Sequence, residues 1–309
     1  MEAHQNHEHH FTGTGRNRLK IALGIVLSIL AVEVAGGIIS NSLALIGDAG
    51  HMLVDALALT LSLFALLVAR RPANLQRTFG YYRVEIMAAL ANGTILLLVA
   101  VYIFYEAYHR FLAPVAINVP IMLIVGVIGL VANLAAFFLL RGASRTSLNI
   151  KAAFWHVAGD TLSSVGVIVA AVILYLTGWP FIDSLIAIFI GCIIMWGAIK
   201  LVRESVEILM EAVPGHIRIE TVIDRMKEVP GVEEVHDIHV WTITSGVYAL
   251  STHIVIEDQM VSKSAEIVET INSIMSKEFD ISHTTLQLEC ESCPTGAVCE
   301  LAQPVDEHQ

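Results

Sequence analysis

The stretch "GDAGHMLVDA" (Gly47–Ala56) interrupts an apolar segment that runs from Ser42 to Ala69. A segment of that length and apolarity is built to cross a bilayer, which takes about 20 mainly apolar residues. Yet it carries Asp48, His51 and Asp55. On an α-helix, residues four apart share a face about 6 Å apart along the axis, so His51 and Asp55 point the same way. The spacing recurs in "FWHVAGDTL", where His156 precedes Asp160 by four. An ionised Asp at mid-bilayer costs about 3 kcal/mol on insertion scales. Asp48, Asp55 and Asp160 together would therefore cost on the order of 9 kcal/mol if nothing neutralised them.

No Lys or Arg lies in Ser42–Ala69 or in Ala152–Leu176, so a bound cation is the economical counter-charge. Two neutral imidazoles and two carboxylates, His51, Asp55, His156 and Asp160, give four nitrogen and oxygen ligands of charge −2. That set suits tetrahedral Zn²⁺ and admits Co²⁺ or Cd²⁺. Mg²⁺ and Ca²⁺ prefer larger all-oxygen shells. Four side-chain ligands leave no open position for an activated water, which disfavours hydrolysis. Asp48 is at most a neighbouring or entry residue in this reading.

The whole chain agrees with a membrane assignment. Of its 309 residues 55% are hydrophobic and 15% charged, against about 25% charged in soluble domains, and its mean hydropathy is +0.68. The net charge of −11 is unevenly spread: from Glu211 onward there are 5 Lys and Arg against 18 Asp and Glu. An acidic end on an apolar body argues against nucleic acid and suits cations. Six apolar segments are long enough to span: 19–40, 42–69, 84–107, 120–140, 152–176 and 181–199. Twelve basic residues fall on one side of these spans and Arg110 alone on the other. By the positive-inside rule both termini face the cytoplasm. The N-terminus has no secretory h-region.

After Pro214 the pattern changes to that of a small soluble domain. Ile217–Glu228 and Ser262–Glu278 read as helices, and Val232–Thr242, Val247–Ile256 and Thr284–Glu289 as strands. The expected architecture is an all-α six-helix transmembrane domain followed by a C-terminal cytosolic α+β domain, ferredoxin-like in its αββαβ order and antiparallel-rich. The expected boundaries are a His-rich tail at 1–15, the transport domain at 16–211, the cytosolic domain at 212–289 and a Cys-containing tail at 290–309. Strand alternation sets His236 and His239 on opposite faces unless the strand bulges. His253, His283, Asp237 and Glu289 lie in the same domain. Cys290 and Cys293 have a spacing compatible with joint metal ligation, with Cys299 nearby, and "HQNHEHH" (His4–His10) can collect metal weakly. Glu33, Glu85, Asn92 and Asn133 are polar residues in spans, and Arg83 is expected to pair with Glu204 or Glu207.

Five motifs carry a resemblance: "NSLALIGDAGHMLVDA" (Asn41–Ala56), "FGYYRVEIMAALANG" (Phe79–Gly93), "NIKAAFWHVAGDTLSSVG" (Asn149–Gly166), "VHDIHVWTITSG" (Val235–Gly246) and "HTTLQLE" (His283–Glu289). In order and across nearly the whole chain, they resemble the cation diffusion facilitator family, close to its bacterial zinc/cadmium/cobalt efflux branch. The resemblance implies a homodimer and a metallochaperone-like cytosolic domain. It also implies export of Zn²⁺ in exchange for H⁺, heavy-metal resistance and no enzymatic activity, while competition of protons with metal for His and Asp gives alternating access as the expected means. The short loop "RGASRTSLNI" after the fourth span favours a prokaryotic origin and hence the inner membrane. The family's transport ligands fall on His51, Asp55, His156 and Asp160. Its cytosolic metal ligands fall on His236, His253 and His283, with Glu289 fourth, and its Cys-bearing tails bind zinc across the dimer. The loop "RRPANLQRT" has neither Asp nor His, so no additional site is assigned there. The competing reading is a membrane receptor that senses Zn²⁺ without moving it. An intramembrane zinc protease lacks its His-Glu-x-x-His, and a bis-His haem protein leaves Asp55 and Asp160 unexplained.

Overall fold

Long apolar runs become long helices because in hydrocarbon every backbone N–H must bond within its own segment. The computed structural model describes residues 13–69, 71–141 and 148–290. Six long helices come first: α1 (Gly13–Ser40), α2 (Leu43–Ala69), α3 (Arg83–Leu112), α4 (Val119–Arg141), α5 (Leu148–Thr177) and α6 (Phe181–Leu209). Among the described residues α3, α6 and the Gly159–Thr177 part of α5 are long and apolar enough to cross a membrane. Leu27–Ser40, Leu43–Val54 and Val119–Ala135 are shorter apolar stretches. Four helices outrun their apolar segments, α1 starting at Gly13 and α3 running on to Leu112 through Arg110. α5 begins at Leu148 and so includes Lys151, and α6 continues to Leu209 through Lys200, Arg203, Glu204 and Glu207.

The chain divides into two compact units, the first comprising residues up to Leu61 together with Ala91–Leu201. Its core is aliphatic, with Leu43, Leu45, Ile103, Met122 and Val167 among its buried members. α4 packs against both α5 and α1. The approach to α1 needs a glycine, since a Cβ on Gly36 would lie 2.5 Å from Val125 Cγ2. Between α1 and α2 the chain reverses at Asn41, whose φ is +58°.

Where that reversal occurs, α6 caps α2. The Asp183 carboxylate accepts from Ser42 Oγ at 2.5 Å, Leu43 N at 2.7 Å and Ala44 N at 3.3 Å. It thereby bonds N–H groups that a helix start leaves without intrahelical partners. Arg110 completes the knot, donating to Asn41 O at 2.7 Å and to Glu106 Oε1 at 3.0 Å, with Asp183 Oδ2 3.6 Å away. Charge counting expected Arg110 to be the lone basic residue on the outer side. It is 7% exposed, held inside by these acceptors.

The second unit comprises Ser62–Leu90 and the chain from Val202. After α6 it contains α7 (Ile219–Lys227), β1 (Val232–Thr244), β2 (Val247–Ile256), α8 (Val261–Phe279) and β3 (Ile281–Glu289). The αββαβ order is as expected, but the sheet is mixed. In the order β1-β2-β3, β1 pairs antiparallel with β2, while β3 lies parallel to β2 because α8 carries the chain back between them. Val222 and Met226 on α7, and Ile267, Ile271 and Met275 on α8, recur at four-residue steps and are buried with Leu250 and Ile254 of β2. Arg225 of α7 bonds Glu278 of α8, its Nε 2.8 Å from Oε2.

At the helix ends within this unit, Arg83 donates to Glu211 at 2.5 Å. This differs from the expected partners Glu204 and Glu207. Both of those are on α6 itself, where Glu207 takes Arg203 at 2.8 Å, whereas Glu211 follows the helix with a φ of +59°. Thr244 Oγ1 donates to Glu85 at 2.6 Å.

Candidate metal centres

In the first unit, α2 and α5 bring His51 and Asp160 together, with Nε2 and Oδ1 3.8 Å apart. That is too long for a hydrogen bond. Two ligands of one tetrahedral Zn²⁺, each 2.0–2.1 Å from it, lie about 3.3 Å apart, so a small contraction would seat an ion. The backbone places Asp55 one turn beyond His51 on α2 and His156 one turn before Asp160 on α5. The side chains of Asp55 and His156 lie outside the described residues. The early start of α5 sets His156 eight residues into its helix, about 12 Å from the end. Two further carboxylates share the interior, Glu33 at 2% exposed and Asp48 at 3%. Asn133 of α4 donates to Ser164 Oγ of α5 at 3.0 Å.

In the second unit, one residue from each strand converges. His236 of β1 is the cross-strand partner of His253 on β2, and Glu289 ends β3. Glu289 Oε2 lies 3.2 Å from His236 Nε2, and its Oε1 lies 3.0 Å from His253 Nδ1. One ligand atom from each of the three fits within 4.8 Å of the others. His236 is 1% exposed, and neither of its ring nitrogens makes a hydrogen bond among the described residues. Nε2 is near Glu289 but not aligned with it as a donor. Leaving a buried polar atom unbonded costs about 1–3 kcal/mol, and a cation between the nitrogen and the carboxylate would remove that cost.

A bulge decides which histidines join. Asp237 takes a φ of +48°, and the β1–β2 register shifts between His236 and His239. His239 turns to Asp237 at 3.2 Å and stays outside the trio. Asp237 also approaches His253 Nε2 at 3.7 Å.

His283 was expected in this set and is not brought to it. The parallel register pairs His283 with Ala249 and sets Val255 opposite Glu289, so His283 is six residues from Glu289 along β3, about 20 Å. Its ring instead meets Phe79 edge-on with centroids 5.5 Å apart. Cys290 is exposed just after Glu289. Cys293, Cys299 and His4–His10 lie outside the described residues.

Residues 19–210 match the family described as the cation efflux transmembrane domain. Residues 214–291 match the cation efflux protein cytoplasmic domain. This chain belongs to the cation efflux family. As a cation efflux protein it is a multi-pass membrane transporter rather than an enzyme, with a helical transmembrane domain and a C-terminal cytoplasmic domain built on a small mixed sheet. It is 42% identical over 287 residues to the metal cation efflux system protein CzcD of Cupriavidus metallidurans, covering 93% of this chain and 90% of that one. It is 38% identical to a cadmium, cobalt and zinc/H(+)-K(+) antiporter of Bacillus subtilis, covering 92% of each. It is 36% identical to the zinc transporter ZitB of Escherichia coli, covering 94% of this chain and 92% of that one. A solved metal-bound C-terminal domain of CzcD aligns with 24% of this chain and 99% of its own length at 33% identity, with a TM-score of 0.22.

Proposed function

We propose that this cation efflux protein exports Zn²⁺, admitting Cd²⁺ and Co²⁺, in exchange for protons. The cargo site is His51, Asp55, His156 and Asp160, reached from the two sides of the membrane in turn. The protein works as a homodimer with six crossings per protomer, in the inner membrane, with both termini in the cytoplasm. The observation that carries the reading is the approach of His51 to Asp160 across α2 and α5, in a helical interior where neither helix offers a Lys or Arg beyond Lys151. The name of the Bacillus relative supports both the metals and the proton exchange, and that of the Escherichia relative supports zinc.

Exchange follows from ligand chemistry. Zn²⁺ binds neutral imidazole and ionised carboxylate, so protons compete with it and metal binding releases them. Imidazole makes that competition effective around neutral pH. A site open to the cytoplasm gives up protons and loads metal, and the same site open to the outside does the reverse.

The cytosolic trio His236, His253 and Glu289 holds a regulatory Zn²⁺ in this reading, with Cys290 and Cys293 as adjoining thiols. The unbonded buried imidazole of His236 supports it.

The test is Zn²⁺ uptake into proteoliposomes under an outward proton gradient, with pyranine inside and Asp160→Ala beside the wild type. Zinc entry with proton exit, both lost in the variant, is the expected result. Binding without flux in either protein would replace transport with a Zn²⁺-sensing receptor.

A further inference from the structure

We propose that Glu33 and Asp48 form a second position for the cargo cation, distinct from the His51–Asp160 pair; this rests on the transport reading above. Both carboxylates are buried, one on α1 and one on α2. Glu33 is held in place by an absence on α4. A Cβ on Gly129 would lie only 2.3 Å from Glu33 Oε1, so any larger residue there would evict the carboxylate. The other oxygen, Oε2, is buried and makes no hydrogen bond among the described residues.

The Ser163 and Ser164 hydroxyls of α5 lie close to Asp48. Ser164 also lies 3.8 Å from the space a Gly129 Cβ would fill. Three helices thus bring two carboxylates and hydroxyl oxygens toward one region, and α4 leaves room for them at Gly129. Glu33 lies within electrostatic reach of Asp48 and, more weakly, of Asp160. Among the described residues neither Glu33 nor Asp48 forms an ion pair with a Lys or Arg.

Like charges crowded into an apolar interior call for a cation, and the His51–Asp160 position alone leaves the orphaned oxygen of Glu33 unserved. The donors here are all oxygen. Such a set holds Zn²⁺ less tightly than one with imidazole, which gives a position that fills and empties quickly. Glu33 and Asp48 are therefore a staging position for a divalent transition cation entering or leaving the tighter site.

The experiment counts Zn²⁺ bound at equilibrium to the full-length protein in lipid nanodiscs. The parent carries His236→Ala and His253→Ala to silence the cytosolic trio. Asp160→Ala is expected to remove one ion per protomer and Glu33→Gln a different ion, bound at least tenfold more weakly. The combined variant should lose both. Asp48→Asn and Gly129→Ala, which crowds Glu33 out, report the same loss should Glu33→Gln not fold. A count equal to the parent in any of these three variants that folds overturns the second position. The transport reading fails separately, through zinc binding without flux in the wild-type protein.

Discussion

His236 presents an imbalance at the scale of one side chain. Its imidazole is buried with both nitrogens unbonded, so in the absence of metal it destabilises the sheet it belongs to. Replacing it with an apolar residue of similar bulk removes that penalty. His236→Leu should therefore raise metal-free stability by about 1–3 kcal/mol, read by urea titration with chelator present. On the proposed reading of the trio as a Zn²⁺ site, the same variant should also lose the stabilisation that Zn²⁺ would confer on the wild type, about 2.7 kcal/mol at a hundredfold excess over Kd. A metal-free protein weakened by this change would show that the ring packs well as it is. The four-residue steps His51–Asp55 and His156–Asp160 needed nothing beyond the sequence, and the recurrence of the step is what pointed to a meeting of α2 with α5. That Glu289 joins His236 and His253 while His283 stays apart was not legible. It depends on how β3 registers against β2 across the whole of α8, and no local pattern encodes that. The bulge at Asp237 was equally silent, since a non-glycine residue at positive φ leaves no mark in composition.

Helix ends and their partners govern the next scale. Asp183 accepts two backbone N–H groups and one hydroxyl at the start of α2 while facing Arg110. Removing one member of a buried ion pair costs about 3–5 kcal/mol, so Asp183→Ala should destabilise the membrane unit by that much. Removing both charges should cost less than the sum of the single changes, which a double-mutant cycle with Arg110→Met measures by thermal unfolding in detergent. Neither residue announced this role. Charge counting assigned Arg110 to a side of the membrane but could not tell burial from exposure. The cap joins positions 140 residues apart.

The α7–α8 contact gives a gentler case. Glu278 bonds Arg225, which holds its carboxyl below the ordinary 4.5. A lowered folded-state pKa contributes stability above the unfolded value and loses it as pH falls through the folded one. The stability difference between wild type and Glu278→Gln should thus be constant at neutral pH and vanish on acidification below 4.5. The pair is on the surface, so the difference is small and should shrink in salt.

For the molecule as a whole, charge asymmetry is a functional quantity. From Glu211 onward the chain carries 18 acidic against 5 basic residues, a field that concentrates cations on the side where the cytoplasmic domain lies. Capture of Zn²⁺ by that domain should slow steeply as ionic strength rises, because the Debye length contracts from about 30 Å at 0.01 M to 3 Å at 1 M. Stopped-flow loading at two salt concentrations checks this, and a rate indifferent to salt would remove the field from the account. Membrane class and the αββαβ order of the C-terminal domain were readable from hydropathy and periodicity. The mixed sheet and the full extent of α1, α3, α5 and α6 were not, because a helix continues through charged residues once it leaves the apolar run.

Fastening α2 at one end has a mechanical consequence. A rod pinned at its tip moves least near the pin. His51 lies eight residues from Leu43 and Ala69 lies 26, or about 12 and 39 Å along the axis. A rigid swing of about 10° around the Asp183 pin would shift His51 by roughly 2 Å and the far tip of α2 by roughly 7 Å. Two ångströms is enough to make or break a metal bond, and seven is enough to admit or exclude water. One pivot would thus give fine adjustment at the ion and coarse gating at the mouth.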